Sequence, residues 1–584
     1  MSIRILSASG ILSVLLLISA FPAAAQSFRV QCPTSTITHP DPGNLGVNNS
    51  EPAYNGPTIF SVGPNGYLVP NSGTANGAIK CQQVSGGDGY STMANGIQTF
   101  MFSFGPLSGL ADIAAGLPGT EFPNVFNSPY AGTLMPGDPA TTDGASDNGS
   151  SYVPGTLGPF NWNGAVGIVP DMDCVSANNA APAGTPAAQL PCPNLPASGI
   201  DGHVDPRQIM DVGVMNGNIP APLVAFDEDD EMFLTLTNVG MIMRPDLFEQ
   251  HTIHFHGYPN ASSVYDGVPD ASVAINIGGS FTYYYLAPDA GTYFWHCHIT
   301  PPEHLQMGMV GQLFVRPRQN RVPVGTSLYA ALQQQNGLGA TKDLRTVCNP
   351  AVDILCSEYT PAVNTGAAQG TDKFGNPQKY VYNDGDGSTA YDTEYALQIH
   401  GFDPNFHFVG MTFNPEAFVD MKDKFFLLSG RSYPDTVQPG PLATQSSDGR
   451  VHYSQPLSSI IKIPVGGKAL LRIADLDVSE YQTLASLGIP MHVVGFNAKL
   501  LRDQEGNNLE YYTNSITLGG GESLDAILDA SVPKSDGTAY AAGEIYYLFT
   551  PNLDHLSNDQ ENFGGLMTEV HICAAATIAS GGCN

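Results

Sequence analysis

Two short segments of the chain concentrate residues that bind metals. One reads His251-Thr-Ile-His254-Phe-His256-Gly257. The other reads Trp295-His296-Cys297-His298-Ile299 and runs on to His304-Leu-Gln-Met307-Gly308-Met309. Side chains alternate faces along a strand, so His296 and His298 share one face while Cys297 points to the other. By the same parity His254 and His256 share a face and His251 projects oppositely. Two groups follow. His251 and Cys297 turn into a sandwich and are joined by His304 and a methionine from the loop after the strand. His254, His256, His296 and His298 turn outward together. A thiolate, two imidazoles and a weak axial thioether form the donor set of a type 1 copper site. Met307 competes for the axial place but precedes Gly308, and Met309 is favoured. Four imidazoles without a carboxylate also suit copper. Zinc is the rival for any histidine cluster, yet a closed structural zinc site would not account for a cysteine centred between two histidines. Taken singly, a histidine reads as an ordinary core or loop residue, and His39, His203, His400, His407, His452 and His571 are read so.

The elements that position these groups are expected to be strands. Gly (64 residues) and Pro (46) are abundant, long helical patterns are scarce, and short Val/Ile/Tyr/Phe/Thr runs recur, the profile of an all-β protein. Met232, Leu234 and Leu236 alternate with Phe233, Thr235 and Thr237 after the acidic turn Asp227 to Glu231. Phe281 to Tyr285, Gly291 to Trp295 and Gln312 to Val315 continue the pattern. Residues 207–320 therefore make one β-sandwich carrying both histidine segments. Residues 321–385 are an irregular linker. Phe425 to Leu428, Ile460 to Ile463, Ala469 to Ile473, Val493 to Leu501 and Glu544 to Phe549 predict a second sandwich within 386–584. Residues 26–206 form a loop-rich N-terminal region leading into the first sandwich. It holds one strand pair around Tyr90 to Phe104, turned at Ala94-Asn95-Gly96, and no chemistry is assigned to it.

The first 25 residues predict a secretory signal: Arg4, the apolar run Ile11 to Phe21, then Ala23-Ala24-Ala25. The run is short for a bilayer span, so the expectation is a protein exported to the periplasm or the extracellular space, with no lasting membrane anchor. Export lets cysteines pair. Of nine, Cys32, Cys81, Cys174, Cys192, Cys348, Cys356, Cys573 and Cys583 lie in polar sequence, with Cys348–Cys356 and Cys573–Cys583 near enough to be partners. Cys297, between two histidines, is the ligand thiol left over. The formal charge is −31. Such a surface repels nucleic acid and anionic lipid, and it could concentrate cationic substrates such as metal ions.

Beyond the residue chemistry there is a resemblance. Met215-Asn-Gly-Asn-Ile-Pro220, the His251–Gly257 segment, Asp266-Gly-Val-Pro269 and Ala290-Gly-Thr-Tyr293 resemble the amino-terminal cupredoxin domain of multicopper oxidases. The His251–Gly257 and His296–Met309 segments resemble that family's type 1 copper motifs, here in the first domain rather than the last, with two residues inserted between Ile299 and His304. Ser429-Gly-Arg-Ser-Tyr-Pro434 and Gly564-Gly-Leu-Met567 resemble its closing domain. The resemblance implies two cupredoxin-like sandwiches, with type 2 and type 3 copper on His254, His256, His296 and His298. It implies a reductant, a phenol or a metal ion, oxidised near the imidazole edges of His251 or His304. Electrons would pass through Cys297 to His296 and His298, and on to dioxygen. A full trinuclear cluster in the family takes eight histidines. Four are placed, with His492 and His555 as weaker candidates. The outward group must then meet another surface, in the same chain or in a neighbour of a homotrimer. Two alternatives stand beside the oxidase: a copper nitrite reductase, which usually has one His beside the Cys and an Asp near position 254, and a non-enzymatic copper electron carrier.

Overall fold

The computed structural model describes, apart from single positions, residues 60–62, 68–70, 79–106, 180–186, 189, 217–257, 262–330, 367–410, 417–440, 442–445 and 451–583. The expected leader and the Cys348–Cys356 pair lie outside these residues. Strands dominate and the helices are short, so the protein is all-β. Among the described residues no helix is long and apolar enough to cross a membrane.

The first sandwich contains β1 (Ile79–Thr92), β2 (Gln98–Pro106), β3 (Val224–Asp227), β4 (Glu231–Gly240), β5 (His254–Phe255), β6 (Ser280–Leu286), β7 (Gly291–His296) and β8 (Val310–Arg316). They form two four-stranded sheets, ordered β2-β1-β4-β6 and β3-β8-β7-β5. The period-two pattern of β4 explains its place. Met232, Leu234 and Leu236 join Phe100, Phe102, Phe104, Tyr283, Tyr285 and Trp295 in one core. The intervening Thr235 and Thr237 pair across the sheet with Thr282 and Ser280 hydroxyls at 2.8 and 2.7 Å. The hairpin expected around Tyr90 to Phe104 is present and turns at Ala94–Gly96, where Gly96 takes φ +81°. Its first strand is longer than the alternation showed, because Ile79 to Gly87 pair in parallel with β4. The hairpin thus belongs to the first sandwich.

The second sandwich has one sheet of β9 (Thr393–Phe402), β10 (Phe425–Leu428), β12 (Lys468–Asp475), β14 (Met491–Phe496), β15 (Lys499–Leu500), β16 (Tyr511–Thr513) and β18 (Glu522–Asp529). The facing sheet holds β11 (Ile461–Pro464), β13 (Gln482–Leu487), β17 (Ser515–Leu518), β19 (Ile545–Phe549) and β20 (Met567–Cys573). Their inner faces share a core that includes Leu397, Ile399, Ile461, Ile463, Leu471 and Ile473.

The two sandwiches meet along β7, β8 and a helix. Phe294, Leu305 and Val310 of the first pack on Ala474 and Leu476 of the second. Beside them the wholly buried Arg472 reaches Glu394 at 2.7 Å and Asp525 at 3.5 Å. Asp525 also accepts the Thr292 hydroxyl from β7 at 2.5 Å, so a buried charge network crosses the joint with partners on both sides.

Cys573 and Cys583 are disulfide-bonded with Cα atoms 6.2 Å apart, and the buried Cys297 is a free thiol. Thiol titration of the denatured, non-reduced, metal-free chain after export is therefore expected to find one free thiol, and finding several would refute the pairing scheme.

Candidate metal centre

β5 lies beside β7 with His254 opposite His296 and Phe255 opposite Trp295. That register, with strand parity, sorts the two metal-binding segments onto two sides of one sheet. His251 and Cys297 point into the core; His254 and His296 point out.

The inner group is His251, Cys297 and His304, whose ligand atoms lie within 4.8 Å of one another. His304 Nδ1 is 3.2 Å from Cys297 Sγ and His251 Nδ1 is 4.0 Å away. Thr252 donates its backbone N–H to the same sulfur at 3.4 Å. All three residues are buried, as is Met309. His304 and Met309 were expected from a loop. Met309 does lie in one, but Pro301-Pro302 start a one-and-a-half-turn helix, α1 (Pro301–Gln306), that carries His304. Proline is well placed there because the first helical N–H groups have no acceptor within the helix. The Met309 N–H then bonds to the His304 carbonyl at 2.9 Å, and the Met309 carbonyl accepts the Cys297 N–H at 3.2 Å. Met307 turns away: its sulfur lies against Gly410 of the second sandwich.

Burial alone would push the Cys297 thiol up. The charge on His304, with hydrogen bonds from both imidazoles, instead brings it well below the ordinary thiol range. Burial would likewise lower His304, but Cys297 and the Glu249 carboxylate, 3.5 Å from Nε2, raise it to about 9. The buried sulfur and the His304 imidazole thus favour each other's charged forms.

The outer group is His254, His256 and His296, again with ligand atoms within 4.8 Å. His298 lies beside this group, with its ring 5.0 Å from His254 and stacked 5.6 Å from His296. Two tautomers are set by the backbone. His254 Nδ1 bonds to the Asp266 carbonyl at 2.5 Å, and His296 Nδ1 to the Cys297 carbonyl at 2.8 Å. A ring that donates through Nδ1 presents a lone pair at Nε2. Consistent with that, the Nε2 atoms of His256 and His296 face each other at 2.9 Å. Burial lowers His256 to about 4 and His296 to about 3, aided in both by neighbouring imidazoles, so these rings are neutral at pH 7. Neutral imidazoles converging lone pairs fit a copper ion, and so does the inner thiolate–imidazole set.

The weaker candidates are engaged elsewhere. His492 bonds Glu510 at 2.9 Å and stacks on Tyr512. His555 sits between Gln482 and Glu480, each at 2.9 Å, and stacks on Phe426. Neither joins the outer group.

Sequence reasoning missed the contribution of the hairpin, to which it assigned no chemistry. Phe102 packs edge-on against His304 with centroids 5.1 Å apart and lies 6.4 Å from His251. Ser103 donates its hydroxyl to the Gly308 carbonyl at 2.5 Å, fixing the loop before Met309. Gly86 abuts His251, where an added Cβ would lie 2.5 Å from the ring Cδ2. No local signal marks these residues, since their partners are about 150 to 200 positions away. Glu249, two residues before His251, was findable by proximity. Gly86→Ala is expected to displace the His251 ring, weaken metal binding at the inner group and cost about 1–3 kcal/mol by overpacking. Denaturant unfolding alongside copper titration checks it.

Residues 201–320 match the family model described as multicopper oxidase. The chain is 34% identical over 112 residues to a protein named multicopper oxidase MCE from Talaromyces pinophilus, covering 19% of this chain and 17% of that one. It is 35% identical over 109 residues to laccase abr2 of Aspergillus fumigatus, covering 18% and 17%. The matched stretch thus spans less than a fifth of either relative. Among solved structures, a blue copper oxidase from Nitrosomonas europaea aligns with TM-score 0.38 and 19% identity, over 61% of this chain and 78% of that one.

Proposed function

We propose that this chain, which carries a multicopper oxidase domain over residues 201–320, is an exported copper-dependent oxidoreductase that takes electrons from a small-molecule or metal-ion reductant and delivers them to dioxygen. The observation that carries the reading is the pair of histidine-rich groups on opposite sides of one sheet, linked by the consecutive residues His296, Cys297 and His298. His251, Cys297, His304 and Met309 would hold a type 1 copper, and His254, His256, His296 and His298 type 2 or type 3 copper. Copper would supply one-electron transfer at the first group and dioxygen reduction at the second.

The chain's own residues supply the rest. His304 is itself buried, but its Nε2 lies 3.5 Å from the part-exposed Glu249, so a reductant would approach there. Cys297 is fully buried in a core shared with Phe102 and Trp295, which would keep water from the thiolate. Cys297 is covalently continuous with both outer histidines, giving a path of a few bonds between the groups. His254 and His256 are half-buried, and His256 faces Gly521 of the second sandwich. Among the described residues no histidine of that sandwich joins the outer group, so further ligands would come from a neighbouring chain of a homotrimer.

This same scarcity of histidines favours a second reading, a one-copper electron carrier. A nitrite reductase is less well supported, because position 254 is histidine and two histidines flank Cys297. Oxygen uptake by the copper-loaded protein separates these readings. It is expected with at least one donor among phenols, Cu(I), Fe(II) and Mn(II). Uptake with none of them would leave the carrier.

A further inference from the structure

Helix α1 carries His304 but is only six residues long, too short to hold its orientation unaided. What holds it is the second sandwich, which contacts each of the three residues that follow His304. Leu305 packs on Ala474 and Leu476. Met307 lies against Gly410, at the end of helix α2 (Pro404–Gly410). Between them the wholly buried Gln306 makes the polar contacts.

Both ends of the Gln306 amide are used. Its Oε1 accepts the Asp403 N–H at 2.8 Å, and its Nε2 donates to Asp423 Oδ1 at 2.9 Å. Its backbone carbonyl faces His407 Nε2 at 2.8 Å and His400 Nε2 at 3.5 Å. Asp423 is itself fixed by the Ser479 hydroxyl. The oxygen faces an N–H and the NH₂ faces an Asp423 oxygen, so the carboxamide matches both partners. Leucine would fill the space and leave a buried N–H and a buried carboxylate oxygen unpaired. The Met309 N–H bonds to the His304 carbonyl, so a shift of α1 moves both residues together.

We propose that Gln306 is a positioning residue through which the second sandwich sets the orientation of His304 and Met309 about Cys297. The inference rests on the reading of those residues as copper ligands. It gives the second sandwich, none of whose described histidines joins the outer group, a role at the inner centre.

The test compares wild type, Gln306→Leu and Asp423→Asn, the last of which keeps an oxygen for the Gln306 amide. In the metal-free folded protein, alkylation of Cys297 reports how often α1 opens. Gln306→Leu should raise that rate about tenfold or more, and Asp423→Asn should leave it near wild type. After copper loading, Gln306→Leu should shift the thiolate absorption and the reduction potential, while Asp423→Asn should not. If Gln306→Leu does not fold, Asp423→Leu removes the same hydrogen bond from the other side. A lowered melting temperature with unchanged alkylation, absorption and potential would make Gln306 a structural residue only and overturn the proposal. A colourless loaded wild type would instead overturn the ligand reading, with alkylation still reporting on the clamp.

Discussion

Cys297→Ser should abolish the blue colour of the copper-loaded protein. The colour arises from charge transfer between a thiolate and Cu(II), and Cys297 is the only free thiol among the described residues. A serine hydroxyl at this position stays neutral and binds copper poorly. Loss of inner-group affinity should exceed the about 10–100-fold typical of removing a mere outer partner of a ligand. The fold should survive. Serine is smaller than cysteine, and its oxygen can still accept the Thr252 N–H that now points at sulfur. A stability loss of about 1–3 kcal/mol is the ceiling for a buried hydroxyl left partly unpaired. Absorption spectra and denaturant unfolding of the two proteins check both halves. A variant that stays blue would place the thiolate site elsewhere.

The second large effect is expected from His296→Ala combined with His298→Ala. These two rings supply half of the outer imidazoles, and His256 Nε2 loses the partner it faces at 2.9 Å. The outer group should then lose its copper and oxygen uptake should fall to the metal-free blank. The blue colour should persist, because Cys297 points to the other side of the sheet. A modest shift of the band is expected, since the Cys297 carbonyl loses the His296 N–H bonded to it at 2.8 Å. Loss of colour together with uptake would mean that the two groups are one structural unit rather than two centres.

The separation of these centres was legible in the sequence. Strand parity divided His251 and Cys297 from His254, His256, His296 and His298, and the two groups do lie apart, although only His254–Phe255 and Gly291–His296 of these segments are strands. The strands of the first sandwich were equally readable, since apolar and polar residues alternate along β4. The second sandwich was harder. β9 carries Glu394, Gln398 and His400, and β18 carries Ser523 and Asp525, so neither shows clean alternation. Those polar residues are tolerated inside because distant partners satisfy them: Arg472 for Glu394 and Asp525, Thr292 for Ser523 and Asp525. A pairing made across 78 or 233 positions has no local signature. The same holds for Gly86 and Phe102, whose contacts with His251 and His304 depend on β1 pairing in parallel with β4. His304 was recognised as a ligand candidate but not as helical, because six residues are too few to display a helical period.

Metal content per chain tests the two-centre account most directly. The purified protein, loaded with copper under oxidising conditions and freed of loosely held metal, should contain clearly more than one copper per chain and be blue. One copper per chain, or a colourless protein, would contradict it.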